Sequence, residues 1–146
     1  MNQRLKKTLI TLLAMGIGLT VTTSIKVLYL DPKAREESHL RFLDAIYQSV
    51  EESKETLPFE ISGGVKLTDI QFNGRTLSYV VELPYEQVPK ESLIDFKVNS
   101  RKVTCERKDA ASLFEHGIII STKVLNNQQK KIFEYEVKKN DCILYR

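Results

Sequence analysis

The chain has 146 residues, of which 22 are basic and 19 acidic, and its formal net charge is +3. Four of the basic residues precede residue 31 and all 19 acidic residues follow it, so residues 31–146 carry 18 basic and 19 acidic groups. Proteins that bind nucleic acids concentrate basic residues in the binding domain, so this balance argues against nucleic acid as a partner. Residues 31–146 are enough for one small domain.

The first thirty residues predict a membrane segment. Three basic residues precede an uncharged run over residues 8–25 that is rich in Leu, Ile, Val, Gly and Thr. A helix that spans a bilayer needs about 20 apolar residues, and residues 8–30 supply them if the Lys26 side chain extends towards the lipid interface. Basic residues flank membrane helices on the cytoplasmic side. The sequence therefore predicts a signal-anchor over residues 1–30 that crosses the bacterial inner membrane once, with its N-terminus in the cytoplasm.

A cleaved signal peptide is the alternative interpretation of this segment. Residues 9–21 fit the apolar core of such a peptide, and the small residues at positions 22–24 could provide a cleavage site. Residues 1–24 would then be removed, and the rest would be soluble in the periplasm or secreted. No cysteine lies directly after the apolar core, so the lipoprotein type of signal is absent. Both interpretations place residues 31–146 outside the cytoplasm as one exported domain.

The exported domain begins with a predicted helix over residues 34–54. Asp31-Pro32 separates it from the membrane segment, because the residue before a proline is disfavoured in helical conformations. Apolar residues then recur at steps of three and four positions, as on the buried face of an amphipathic helix. These residues are Leu40, Leu43, Ile46, Tyr47 and Val50.

A β-hairpin is predicted next. Residues 65–72 and 76–83 are rich in β-forming residues and flank Asn73-Gly74. An Asn-Gly pair between two such runs is typical of a type I′ turn, in which both central residues have positive φ. Pro84 ends the second strand.

Two helices and a second hairpin complete the predicted domain. The segment over residues 90–104 follows a proline suited to the first turn of a helix. Residues 109–116 predict a short second helix that ends at Gly117 in the left-handed conformation. Residues 118–125 and 131–137 then predict a second strand pair around residues 126–129, and in the last strand Phe133, Tyr135 and Val137 alternate with charged residues.

This order of elements predicts an α+β fold. After the N-terminal membrane helix, a helix, a β-hairpin, one or two helices and a second β-hairpin follow one another. We expect the two hairpins to form a four-stranded antiparallel sheet with the helices on one of its faces.

The two cysteines predict a disulfide bond. Cys105 and Cys142 both lie in the exported domain, where an even and minimal number of cysteines is typical of a structural bridge. The bond would join the end of the middle helical region to the end of the last strand. A reactive thiol beside His116 is the alternative.

The sequence contains no motif of a catalytic, metal or cofactor site. It lacks a P-loop, a dinucleotide-binding fingerprint and a Gly-x-Ser-x-Gly motif, and its Cys and His residues do not have the spacing of zinc ligands. No cofactor is therefore predicted. His39 and His116 remain as candidates for acid–base chemistry in a hydrolase, against structural roles such as that of an imidazolium at a helix end.

The outer face of the predicted sheet is the remaining place for a binding site. Val80, Ile119 and Ile132 fall at positions that should point away from the core. If these side chains cluster, they form an apolar patch suited to a partner protein. The alternative is that a helix covers this face.

The second half of the chain resembles small, largely uncharacterised bacterial envelope proteins. The resemblance spans about residues 38–142 and rests on the hairpin LTDIQFNGRTLSYVVEL, on Cys105, on the short helix ASLFEHG and on the closing Asp141-Cys142. It implies an exported domain with one disulfide and no assigned activity. Pilotins, which are small periplasmic chaperones of secretion machinery, are similar in size and disulfide usage.

These observations together predict a membrane-tethered, periplasm-facing domain that is not catalytic and binds another envelope protein. Residues 8–30 would contact the inner membrane. The alternatives are a secreted or periplasmic inhibitor, a small-ligand binder with a cavity between helix and sheet, and a pilotin-like chaperone.

Overall fold

The computed structural model describes the backbone of residues 32–145, so the predicted membrane segment lies outside the described residues. Within the described residues, no helix combines the length and apolar character needed to cross a membrane. The elements, in chain order, are α1 (Pro32–Lys54), β1 (Phe59–Ser62), β2 (Val65–Phe72), β3 (Thr76–Glu82), α2 (Lys90–Glu106), α3 (Lys108–Glu115), β4 (Ile119–Leu125), β5 (Lys131–Val137) and a closing 3-10 helix (Lys139–Tyr145).

The five strands form one mixed sheet in the order β1-β2-β3-β4-β5. Neighbouring strands are antiparallel except for β3 and β4, which are parallel from the pair Thr76–Ile119 to the pair Glu82–Leu125. The α+β class and the two predicted hairpins are confirmed, but the predicted four-stranded antiparallel sheet is wrong. Residues 83–118 contain α2 and α3 and form a crossover long enough to return the chain to the same end of the sheet, which is what parallel neighbours require.

The turn between β2 and β3 differs from the predicted type I′. Gly74 has φ of 87°, but Asn73 is not among the residues with positive φ. Instead, the Asn73 side-chain oxygen accepts hydrogen bonds from the backbone N–H groups of Arg75 and Thr76, at 3.0 and 2.7 Å. Asparagine side chains stabilise turns in this way by satisfying backbone donors that would otherwise face solvent.

The two core clusters lie on one face of the sheet, which the helices cover. A larger cluster joins this face to α2 and α3, and it includes Leu67, Val81, Phe96, Phe114 and Val124. A smaller cluster joins it to α1, and it includes Phe42, Ile46, Val50, Ile70 and Leu77. The prediction that the helices share one face of the sheet is therefore confirmed.

The predicted stop of α3 at Gly117 is confirmed. Gly117 has φ of 76°, and the backbone N–H of Ile118 donates to the carbonyl of Leu113 at 3.0 Å, as expected for a helix that ends with a left-handed residue.

We expect the substitution Gly117→Ala to lower the free energy of unfolding by about 1 kcal/mol, because an alanine Cβ is strained in the left-handed region. A Cβ at this position would meet no atom within 4 Å, so the cost comes from the backbone alone. Gly117→Asn should cost less, since asparagine tolerates this conformation. Urea denaturation of the three proteins measures the difference, and equal stability of the alanine and glycine forms would contradict a left-handed residue here.

Candidate partner-binding surface

The predicted disulfide between Cys105 and Cys142 is present. Cys105 lies in the last turns of α2 and Cys142 in the closing 3-10 helix, with their Cα atoms 5.1 Å apart. Both cysteines of the chain are in this bond, so no free thiol remains beside His116. The bond fastens the 3-10 helix, whose buried residue is Cys142, to α2.

The outward side of α2 exposes apolar side chains. The inward side consists of Ser92, Phe96 and Ser100, which are buried. Ile94 and Val98 are 64% and 53% exposed. Two positions along an α-helix turn the side chain by about 200°, so Ile94 and Val98 point away from the core. Two serines and one phenylalanine therefore face inward on this helix, while two branched apolar residues face solvent.

The closing 3-10 helix adds two more exposed apolar side chains. Ile143 is 67% exposed and Leu144 is 88% exposed, directly after Cys142. Cys105 lies seven residues after Val98, on the same side of α2, because seven residues complete almost two turns. Ile94 and Val98 thus precede one cysteine of the bond on α2, and Ile143 and Leu144 directly follow the other cysteine. We call the exposed side chains of Ile94, Val98, Ile143 and Leu144 together the disulfide-side surface.

Charges of both signs border this surface on α2. The helical positions next to Ile94 and Val98 on one side are basic and are occupied by Lys90, Lys97 and Arg101. The positions on the other side include Glu91 and Asp95. An apolar centre with a charged border is the usual composition of a protein–protein contact surface.

The structure places the predicted patch residues at separate positions. Val80 and Ile119 are both half-buried, on β3 and β4. The parallel register pairs Ile119 with Thr76, four positions away from Val80. Ile132 packs against the larger core cluster. The three side chains do not form one cluster, and a role for any of them in binding stays a prediction.

The structure also contains an open cleft of about 400 Å³ at the carboxyl ends of the two parallel strands. Its lining includes Glu86, Val88, Lys130 and Ile132. Asn126 shapes it, because the buried Asn126 side chain donates to the carbonyl of Glu86 at 3.0 Å. This cleft lies at the end of the sheet, whereas the sequence-based alternative of a ligand binder placed a cavity between helix and sheet.

The structure brings the two histidines together. His39 Nδ1 and His116 Nδ1 are 3.1 Å apart. The hydrogen-bonding partner of each imidazole is thus the other imidazole, whereas a triad-type hydrolase pairs its histidine with a hydroxyl nucleophile and a carboxylate. In residues 32–145, no three His, Cys, Asp or Glu side chains are grouped as metal ligands would be.

Sequence reasoning missed both the disulfide-side surface and the histidine contact. The signal for Ile94 and Val98 was available, because they recur at helical spacing opposite Ser92 and Ser100. The contact between His39 and His116 had no such signal, since 77 residues separate the two positions.

Comparison with known proteins identifies structural neighbours only. No protein-family model matches the chain, and a search of curated proteins gave no match. Three solved structures superpose on it with TM-scores above 0.5. Their sequence identities are below 20%, so the likeness concerns the fold.

Two of these structures are pilotins of type II secretion systems. EpsS of Vibrio vulnificus superposes with a TM-score of 0.56 at 17% identity, and the match covers 73% of this chain and 96% of EpsS. AspS of Vibrio cholerae superposes with a TM-score of 0.55 at 18% identity, and the match covers 73% of this chain and 98% of AspS.

The third is a protein of Pseudomonas aeruginosa proposed to be secreted. It superposes with a TM-score of 0.60 at 11% identity, and the match covers 74% of this chain and 96% of that one. All three neighbours are thus matched over almost their whole length. The described domain therefore shares its fold with these three proteins.

Proposed function

We propose that this protein is a pilotin-like chaperone that binds another envelope protein, a component of a secretion machinery, without catalysing a reaction. The observation that carries the proposal is the match of the described domain to nearly the full length of two pilotins. Fold alone does not determine function, so the proposal also needs a surface on the domain that can receive a partner.

The disulfide-side surface meets this need. Large exposed apolar patches with a polar border mark interaction sites, and we propose that these four side chains form such a patch. The disulfide restrains the 3-10 helix against α2, so the two exposed pairs have a fixed geometry before any partner arrives. Such preorganisation reduces the entropy lost on binding. The matching surface of the partner would be apolar with charges of both signs around it.

The pilotin likeness favours one of the sequence-based alternatives over the main interpretation, the membrane-tethered domain. We propose that residues 31–146 work in the periplasm, where a disulfide persists. The proposal is compatible with both interpretations of the N-terminal segment. Either residues 8–30 anchor the chain in the inner membrane, or residues 1–24 are removed as a signal peptide. N-terminal sequencing of the protein from the native cell decides between the two.

The proposed function predicts crosslinking from the disulfide-side surface to an envelope protein. A photoreactive amino acid at position 94 or 143 of the full chain should crosslink in intact cells to one dominant envelope partner, identified by mass spectrometry. The same amino acid at position 123, where Lys123 is exposed on the opposite face of the sheet, serves as the control site. Equal crosslinking from all three positions would contradict a role for this surface.

A variant pair tests the same prediction without crosslinking. The double substitution Ile94→Asp and Val98→Asp should reduce recovery of that partner at least about tenfold, because burying an unpaired carboxylate in an apolar interface costs several kcal/mol. Leu40→Asp is the matched control, since Leu40 is a 55% exposed apolar residue on α1 rather than α2. An equal loss for the control variant would place the partner elsewhere.

A further inference from the structure

The contact between His39 and His116 has the geometry of a direct hydrogen bond. The ring centroids are 5.3 Å apart and the ring planes are inclined by 19°. The centroid distance exceeds the 3.1 Å between the Nδ1 atoms by about one ring diameter. Both Nδ1 atoms therefore lie between the rings and point at one another. Such a bond needs one imidazole to donate and the other to accept, so at least one of them must be neutral.

This bond fastens the beginning of α1 to the rest of the domain. Among residues 35–41, the side chains of Ser38 and His39 are half-buried and the others are exposed. The next contact along α1 is Phe42, which is buried and stacks on the ring of His116 with centroids 3.8 Å apart. His116 thus receives both anchoring side chains of this part of α1.

We propose that the His39–His116 hydrogen bond is a proton-sensitive latch, which holds the first described turns of α1 on the domain near neutral pH and releases them when both imidazoles are protonated. Two imidazolium groups at this distance can only donate, and they repel one another. Release would free the first described turns of α1 from their contact with the rest of the domain. The latch does not depend on the proposed chaperone function.

The environment of His116 favours its neutral form, as the latch requires near neutral pH. Burial lowers the pKa of His116 below its ordinary value of 6.5, and His39 lowers it further, while Glu115 acts to raise it. Other charged residues in this region of the fold are Arg35 and Glu36, one turn before His39 on α1, and Arg75, whose carbonyl accepts a hydrogen bond from the N–H of Ile119, three residues after His116.

The sign of the pH dependence follows from the lowered pKa of His116. The released state binds a proton more readily than the docked state, so docking is strongest above pH 6.5 and weakens as the pH falls below that value.

Hydrogen–deuterium exchange of the full chain in a mild detergent tests the latch. After correction for the intrinsic exchange rate, amide protection in α1 residues 35–45 should fall progressively between about pH 7.5 and about pH 5, because the pKa of His116 is lowered in the docked state. Protection in β3 and β4 should remain unchanged over the same range. Unchanged protection of α1 would overturn the proposal.

Variants separate the latch from other titrating groups. The chain contains two histidines, so the double variant His39→Gln and His116→Gln has none, and its α1 protection should no longer depend on pH in this range. The variant Glu115→Gln keeps both histidines and should move the release to lower pH, because it removes the charge that favours the imidazolium. Persistent pH dependence in the double variant, or a shift to higher pH in Glu115→Gln, would overturn the latch.

The imidazole titration of the unaltered protein is a measurement that does not rely on any variant. By NMR, His116 should titrate below 6.5, and the loss of α1 protection should follow that titration. Titration of His116 above this value would overturn the proposal.

Discussion

Replacing Cys105 and Cys142 together by serine should lower the free energy of unfolding by about 4 kcal/mol. The bond closes a loop between residues 37 positions apart, and its removal restores the conformational freedom of that loop in the unfolded chain. The closing 3-10 helix should also separate from α2, because Cys142 is its buried residue. Urea denaturation followed by circular dichroism measures the loss.

A reducing agent provides the matched control for this prediction. Reduction of the unaltered protein should shift its midpoint in urea to that of the double serine variant, while the variant itself should not respond to the reductant. Folded domains of this size are stable by about 5–15 kcal/mol, so the loss is large enough to measure accurately. If reduction leaves the midpoint of the unaltered protein unchanged, the bond does not contribute to stability in solution.

The substitution Ile46→Ala should destabilise the domain by about 3 kcal/mol, whereas Ile94→Ala should change its stability by less than about 0.5 kcal/mol. Ile46 is 1% exposed in the smaller core cluster, so its truncation leaves a cavity between α1 and the sheet. Ile94 is 64% exposed, so its truncation leaves none. Thermal and urea unfolding of both variants give the two values.

The variants Ile46→Ala and Ile94→Ala also allow effects on stability to be separated from effects on binding. If Ile94 belongs to a partner-binding surface, Ile94→Ala should bind the partner less well while folding as stably as the unaltered protein. A loss of stability comparable to that of Ile46→Ala would show that Ile94 packs inside the domain rather than on its surface.

The local elements of this fold were predictable because each has a strong pattern of its own. The strands β2 and β5 have the predicted bounds, and α1, α2 and α3 differ from the predicted helices by one or two residues at their ends. The disulfide was predictable from the number of cysteines and the predicted export. The residues that determine each helix or strand lie close together in sequence, and two cysteines can pair in one way.

The arrangement of the sheet was less predictable because it depends on distant residues. β1 has four residues between Pro58 and Gly63, too few for an alternating pattern to be recognised. The parallel pairing of β3 with β4 depends on how α2 and α3 pack, and no local feature of either strand encodes it. The helix α3 begins at Lys108, one residue before the predicted start, and the carboxylate of Asp109 pairs with Arg107, which lowers the pKa of Asp109 against the opposing effect of burial.

The parallel contact between β3 and β4 has a consequence for how the domain folds. The hairpins β2–β3 and β4–β5 each join neighbouring parts of the chain and can form early, but they become one sheet only after residues 83–118 have wrapped across it. Pairing over such a distance is slow compared with hairpin formation. The loop closed by the disulfide contains α3, β4 and β5 but none of β1 to β3. The disulfide can therefore form either before or after β3 pairs with β4.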